Sequence, residues 1–226
     1  MNFIRPFTAA AVAVGTGLAI TMPAQAAPAQ FTSKGVATSY QDGKAVQVPN
    51  TLYYNNGRIR LEMAPPATGD GTTAFSVVIA QEGGQSITLL NPTAKQAMKL
   101  DASSLQAVTD NPSLQKISTF KLAEFGKTFR AQSKKVGSET VAGQACTVLE
   151  QKGKDGHFRL WLSDKHEVPL KFVYFEAGKP AFNYQVSQFT LSANLPASSF
   201  TVPGGYEVTD LAEMLQGMEQ HVAPKR

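Results

Sequence analysis

Few side chains in this sequence combine into a pattern that performs chemistry. The single cysteine, Cys146, and the three histidines, His157, His166 and His221, are the material for a thiol nucleophile with an imidazole base. Cys146 alternates with Val148 along an apolar stretch, however, which is the period-2 signature of a half-buried strand. We therefore read it as a buried structural thiol. A catalytic triad or a three-histidine metal site is compatible with spacing alone. The histidines fall at turn signals or in the tail, so solvated loop residues are the reading we adopt. His166-Glu167 opens like a His-Glu-x-x-His zinc motif, but position 170 is Leu and Pro169 would break the helix that motif needs. Asp155 and Asp164 flank the stretch 157–163 as turn residues. A lone cysteine excludes an intramolecular disulfide framework and every multi-cysteine zinc site. Neither a Gly-x-Ser-x-Gly elbow, nor a phosphate loop, nor Gly-x-Gly-x-x-Gly occurs in the chain. The expectation is a non-enzyme with no metal and no cofactor.

What remains is apolar and aromatic. Trp161, Phe172, Tyr174, Phe182 and Tyr184, with Phe189 beyond them, crowd the C-terminal part, and Phe75, Val77 and Ile79 alternate in the N-terminal half. Two readings stand for these residues. They form an ordinary core beneath helices, or they line the concave face of a curled sheet that holds an apolar ligand. The 226-residue chain is 42% apolar and 17% charged, the reverse of the balance that keeps a chain disordered. Its net charge of +4 is spread thinly with no Lys/Arg run, which argues against nucleic acid as a partner.

The elements that position these residues are mostly strands. Short runs rich in Val, Ile, Thr, Phe and Tyr alternate with turn signals at spacings of about 8–12 residues. Residues 31–40 precede Asp42-Gly43, and residues 51–54 precede Asn56-Gly57, two hairpin signatures. Residues 58–63 place Ile59, Leu61 and Met63 on one face and Arg58, Arg60 and Glu62 on the other. Further strands are expected over 74–80, 86–90 and 96–100, then 139–151, 158–163, 170–176 and 182–191. Between them, residues 103–130 change to steps of three and four, with Leu114, Ile117 and Phe120, then Leu122, Phe125 and Phe129, broken near Asn111-Pro112, and so predict one or two helices. A last helix is expected over 211–218, with Asp210 and Glu213 as a capping pair. The fold class is α+β, mainly β: a single curved antiparallel sheet, an open half-barrel, with helices covering the concave face.

Residues 1–26 read as a signal peptide. Arg5 is followed by an apolar core over 9–20 that is shorter than the ~20 residues a membrane span needs, and then by Ala24-Gln25-Ala26. No cysteine stands at the expected cleavage point, so a lipid anchor is not expected. The remainder, 27–226, reads as one domain of a soluble periplasmic protein with no transmembrane segment.

Three stretches resemble a known family. Residues 56–62 (NGRIRLE), 137–146 (GSETVAGQAC), and 159–171 with 195–206 (RLWLSD, VPLK, and LP through Phe200, Pro203 and Gly205-Tyr206) are similar to motifs of the periplasmic LolA/LolB-like lipoprotein-carrier superfamily and related uncharacterised periplasmic proteins. That resemblance implies a half-barrel with a helical lid and a cavity for a lipid or acyl chain. It also implies that an early-strand arginine, here Arg60, tethers the lid. The Arg-Pro pair that follows this arginine in true lipoprotein carriers is missing. A second use of the same scaffold is an envelope protein–protein interaction or stress-sensing module, which would engage an envelope protein partner through the helix at 211–218. N-terminal sequencing of protein recovered from the periplasm checks the export reading: the mature chain is expected to begin at Ala27, and a retained Met1 would contradict it.

Overall fold

The computed structural model describes residues 29–41, 44–64, 76–82, 84, 86–101, 122–153, 156–191 and 194–214. Among them run β1 (Gln30–Gln41), β2 (Lys44–Asn55), β3 (Arg58–Met63), β4 (Val77–Gln81), β5 (Ser86–Asn91) and β6 (Gln96–Asp101). Helix α1 (Leu122–Gln132) follows, then β7 (Lys134–Val141), β8 (Gln144–Lys152), β9 (His157–Ser163), β10 (Pro169–Glu176) and β11 (Lys179–Thr190). A short 3-10 turn (Ala197–Phe200) precedes β12 (Glu207–Asp210). The twelve strands form one sheet in the order β12-β6-β5-β4-β3-β2-β1-β11-β10-β9-β8-β7. It consists of two antiparallel meanders, β1–β6 and β7–β11, joined where β1 pairs with β11.

The turns explain the meanders. Asn56 and Gly57 have φ of 47° and 83°, both left-handed, as a type I′ hairpin turn requires. Ala142-Gly143 and Ala177-Gly178 repeat this pattern with φ of 49°, 75°, 48° and 78°. The first of these corrects the single strand expected over 139–151, which is the hairpin β7–β8. Ala142 carries no turn signal of its own, so the chain reverses where only Gly143 marked it. The sheet is also not wholly antiparallel, because β12 lies parallel to β6 at the edge. Four residues are too few for alternation to reveal β12 in the sequence.

Helix appears where three- and four-residue periodicity predicts it, over Leu122–Gln132, while residues 103–121 lie outside the described residues. Glu124 in its first turn and Arg130 in its last complement the helix dipole. α1 lays Phe125 and Phe129, 5.6 Å apart, against Leu149, Leu160, Leu162 and Phe172. Near the other edge, Asp210 accepts the Ala212 N–H at 3.0 Å, capping the helical turn that begins at Leu211. Leu211 is buried against Ile87 and Leu100. The stripe beyond Met214 is outside the described residues, and Glu213 is exposed.

The α1 contact depends on one missing side chain. A Cβ on Gly126 would sit 2.7 Å from the Glu167 carbonyl oxygen and 3.4 Å from Leu162 Cδ1. Glu167 cannot yield readily, being buried with a left-handed φ of 52° and donating its N–H to the Ser163 carbonyl at 2.9 Å. Arg130 Nε adds an ion pair to the Glu167 carboxylate at 3.6 Å. Overpacking costs about 1–3 kcal/mol and alanine's helix advantage returns ~1 kcal/mol, so Gly126→Ala is expected to destabilise by up to about 2 kcal/mol. Urea denaturation followed by circular dichroism checks this; a stabilised variant would show that α1 does not dock as described.

Candidate binding groove

Register alone assembles the site. Pairing places Tyr54 beside Phe31 and Ile59, Leu52 beside Ser33 and Leu61, and Asn50 beside Gly35 and Met63. Across β1, Ala37 pairs with Tyr184 and Ser39 with Phe182. Partners in a ladder share a face, so β1, β2, β3 and β11 present one apolar surface. Most of these residues, with Val48, Val168 and Pro169, line a groove of about 510 Å³. That volume suits a small apolar ligand, for which pockets of roughly 300–1,000 Å³ are usual.

The polar groups of the groove are few and uncharged. Ser33, Asn50 and the hydroxyls of Tyr54 and Tyr184 are the only side-chain hydrogen-bonding groups among its described lining residues, none of which is Lys, Arg, His, Asp or Glu. The Tyr54 hydroxyl donates to the Glu82 carboxylate at 3.2 Å, and burial beside that charge pushes its pKa up to about 12. Burial likewise raises Tyr184, opposed by a hydrogen bond with Ser33. Tyr184 reaches Ser33 by lying across Gly35. A Cβ there would meet the Tyr184 ring and hydroxyl at 3.2 Å and the Gln185 carbonyl at 2.8 Å.

Of the aromatic residues singled out from sequence, Phe182 and Tyr184 line this groove. Phe172 lines a neighbouring cavity of about 460 Å³ under α1, together with Phe125, Phe129 and Phe158. The Phe172 and Phe182 rings stand 6.1 Å apart, so the two spaces adjoin along one face. Tyr174 shares that face, its ring 4.8 Å from Phe158, but lines neither space. The other candidates lie elsewhere. Trp161 pairs with Val148 and Lys171, donates its Nε1–H to the Glu139 carboxylate, and carries Lys171 Nζ 4.3 Å over its ring. Val77 and Ile79 pair with Glu62 and Arg60, which puts them on the face opposite Ile59 and Leu61. There they form a separate core with Leu90 and Ala97, covered by Val202 and Tyr206. Phe75 lies outside the described residues.

Arg60 does hold a covering segment, though not one over the groove. Its Nε pairs with Glu62 at 2.7 Å, and its Nη1 donates to the Ser199 carbonyl at 3.1 Å. The C-terminal segment is thereby fastened to the reverse face. Sequence reasoning left Phe31, Leu52, Tyr54, Ile59, Leu61 and Met63 out of the site. The alternation of Ile59, Leu61 and Met63 was visible, but nothing local says that this face, and not that of Val77 and Ile79, stays open.

A larger hollow of about 840 Å³ at the far end of β8–β10 is polar. There Arg159 donates to Glu150 at 2.7 Å, which holds the Glu150 carboxyl below its usual range, and His157 stacks on Phe175 at 4.2 Å. Among the described residues, no group of three or more His, Cys, Asp or Glu side chains could hold a metal ion. No helix among them is long and apolar enough to cross a membrane.

The chain belongs to the predicted periplasmic protein family DUF2092, whose pattern matches residues 68–205. The sequence finds no match among curated proteins. Among solved structures, an uncharacterized conserved protein from Thermus thermophilus is 12% identical with a TM-score of 0.52, the match covering 80% of this chain and 90% of that one, and it shares the fold. The complex of MucA and MucB from Pseudomonas aeruginosa contains a chain 18% identical, with a TM-score of 0.49. That match covers 80% of this chain but spans only 58% of the other. A putative outer membrane lipoprotein-sorting domain from Vibrio parahaemolyticus is 13% identical with a TM-score of 0.40, covering 76% of this chain and 89% of that one.

Two titratable groups complete the site's surroundings. Cys146 is fully buried, and desolvation pushes its pKa up to about 11, away from nucleophilic chemistry. His166 is buried as well, its ring 5.6 Å from Phe189, so the solvated-loop reading of this histidine is corrected. Its backbone N–H donates to Ser163 Oγ at 3.2 Å, which draws the turn inward. Burial, with Lys165 nearby, lowers its pKa. The unfolded chain then binds a proton more readily than the folded one. Stability is expected to fall as pH drops from the unfolded value of about 6.5 toward the lowered native one. Denaturation midpoints between about pH 7 and pH 5 check this, and His166→Phe is expected to flatten the slope. An unchanged slope in that variant would assign the dependence to other groups.

Proposed function

We propose that this protein is a non-enzymatic periplasmic binding protein that carries a lipid or other acylated molecule with its apolar chain in the groove of β1–β3 and β11. The single observation that carries this reading is an apolar groove of about 510 Å³ whose described lining holds no charged side chain. In this reading α1 covers the concave face of the sheet, and the cavity beneath its Phe125 and Phe129 extends the path. The groove supplies binding without chemistry. Each methylene buried gains about 0.8 kcal/mol, so ten gain roughly 8 kcal/mol. Association and ordering subtract at least ~4 kcal/mol. The balance, about 4 kcal/mol or less, corresponds to dissociation constants of roughly millimolar or weaker, weak enough for release.

A protein partner is the second reading, favoured by Val208 on the edge strand β12 and Met214 just after it, 57% and 42% exposed. Titration of a fluorescent twelve-carbon acyl probe separates the two. The wild type is expected to saturate, Leu61→Glu to weaken binding at least about tenfold by placing a carboxylate in the groove, and Arg60→Leu, on the reverse face, to bind within about twofold of wild type. The absence of saturable binding in wild type would leave the protein-partner reading as the better one.

A further inference from the structure

One atom in the groove is out of keeping with the rest. Asn50 is nine-tenths buried, and its side-chain oxygen has no hydrogen-bond partner. Its Nδ2 reaches only the Val48 carbonyl, at 3.4 Å. A buried acceptor left unpaired costs free energy of the order that a ligand donor could recover. The other groove polar groups are engaged: Ser33 with Tyr184, and Tyr54 with Glu82. Asn50 stands in the middle row of the groove, level with Gly35 and Met63, between the Tyr54 row and the Val48 row. A donor placed there belongs to the body of a bound chain.

We propose that the groove selects chains bearing an uncharged hydrogen-bond donor, a hydroxyl, which Asn50 Oδ1 accepts. This rests on the reading of the groove as an acyl-chain site. The chemistry favours a neutral group. An acceptor repels a carboxylate, and no cation among the described lining residues would compensate one. An ether or ester of equal length fills the same apolar space but leaves Asn50 unpaired. Asn50 is thus a specificity residue, distinct from the apolar side chains that supply affinity.

Calorimetric titration of the intact protein with 6-dodecanol and with hexyl pentyl ether, whose chains are of equal length, tests this. The wild type is expected to bind the alcohol at least about fivefold more tightly than the ether. Asn50→Leu, shown by circular dichroism to fold, is expected to bring the two ligands within about twofold by weakening the alcohol and not the ether. Equal wild-type affinity for both ligands would overturn the role of Asn50 and leave the groove reading intact. The same holds for a preference that survives in Asn50→Leu. Binding of neither ligand would overturn the groove reading itself. Should Asn50→Leu fail to fold, the wild-type comparison alone decides.

Discussion

The pairing of β1 with β11 is the contact on which the rest of the molecule depends. Without it the chain is two meanders; with it the order continues from β12 through to β7 as one sheet. The seam spans about 150 residues of sequence, exemplified by Ser187 Oγ donating to the Lys34 carbonyl at 3.2 Å. Its entropic cost is repaid only once both meanders exist. Gly35 sits at the register shift in this seam, where the Gln185 carbonyl and the Tyr184 ring leave no room for a Cβ. The same glycine that lets the strands approach therefore lets Tyr184 lie across the floor of the groove.

The two faces of this sheet are covered differently. On the reverse face of β3–β6 the C-terminal segment supplies Val202 and Tyr206 to the core of Val77, Ile79, Leu90 and Ala97. Polar links hold it there: Arg60 to the Ser199 carbonyl, and Asn55 Nδ2 to the Leu195 carbonyl at 2.8 Å. On the other face α1 packs over β8–β10, with Phe125 and Phe129 against the cluster that Phe172 also joins. Phe182 and Tyr184, one strand farther on, line the groove instead. The groove lies beyond that contact, and its inner wall, Phe31 and Tyr54, is shared with the buried core that also holds Val168, Leu170 and Val186.

Much of this architecture was legible in the sequence because hairpin chemistry is local. Asn56-Gly57 announced its turn, and Arg58 to Met63 alternated as a strand must. The helix at Leu122–Gln132 showed its period through Phe125 and Phe129. The Ala142-Gly143 and β12 elements did not show, one because alanine is not a turn residue and the other because it is held by its neighbour β6. The site was less legible than the fold. Phe182 and Tyr184 line the groove, whereas Val77, Ile79 and Trp161 look equally apolar in sequence and lie elsewhere. Periodicity tells which residues share a face; it cannot tell which face a distant segment such as 194–206 will cover. Arg60 illustrates this well, for its tethering contact exists, but on the opposite side from the groove.

The most direct measurement is a methyl-resolved nuclear magnetic resonance titration with a twelve-carbon acyl ligand. The account predicts saturable shifts at the methyls of Leu52, Ile59, Leu61 and Met63, on the groove face, with those of Val77 and Ile79 unmoved on the reverse face of the adjoining β4. Shifts confined to Val77 and Ile79, or no saturable shift at the groove methyls, would contradict it.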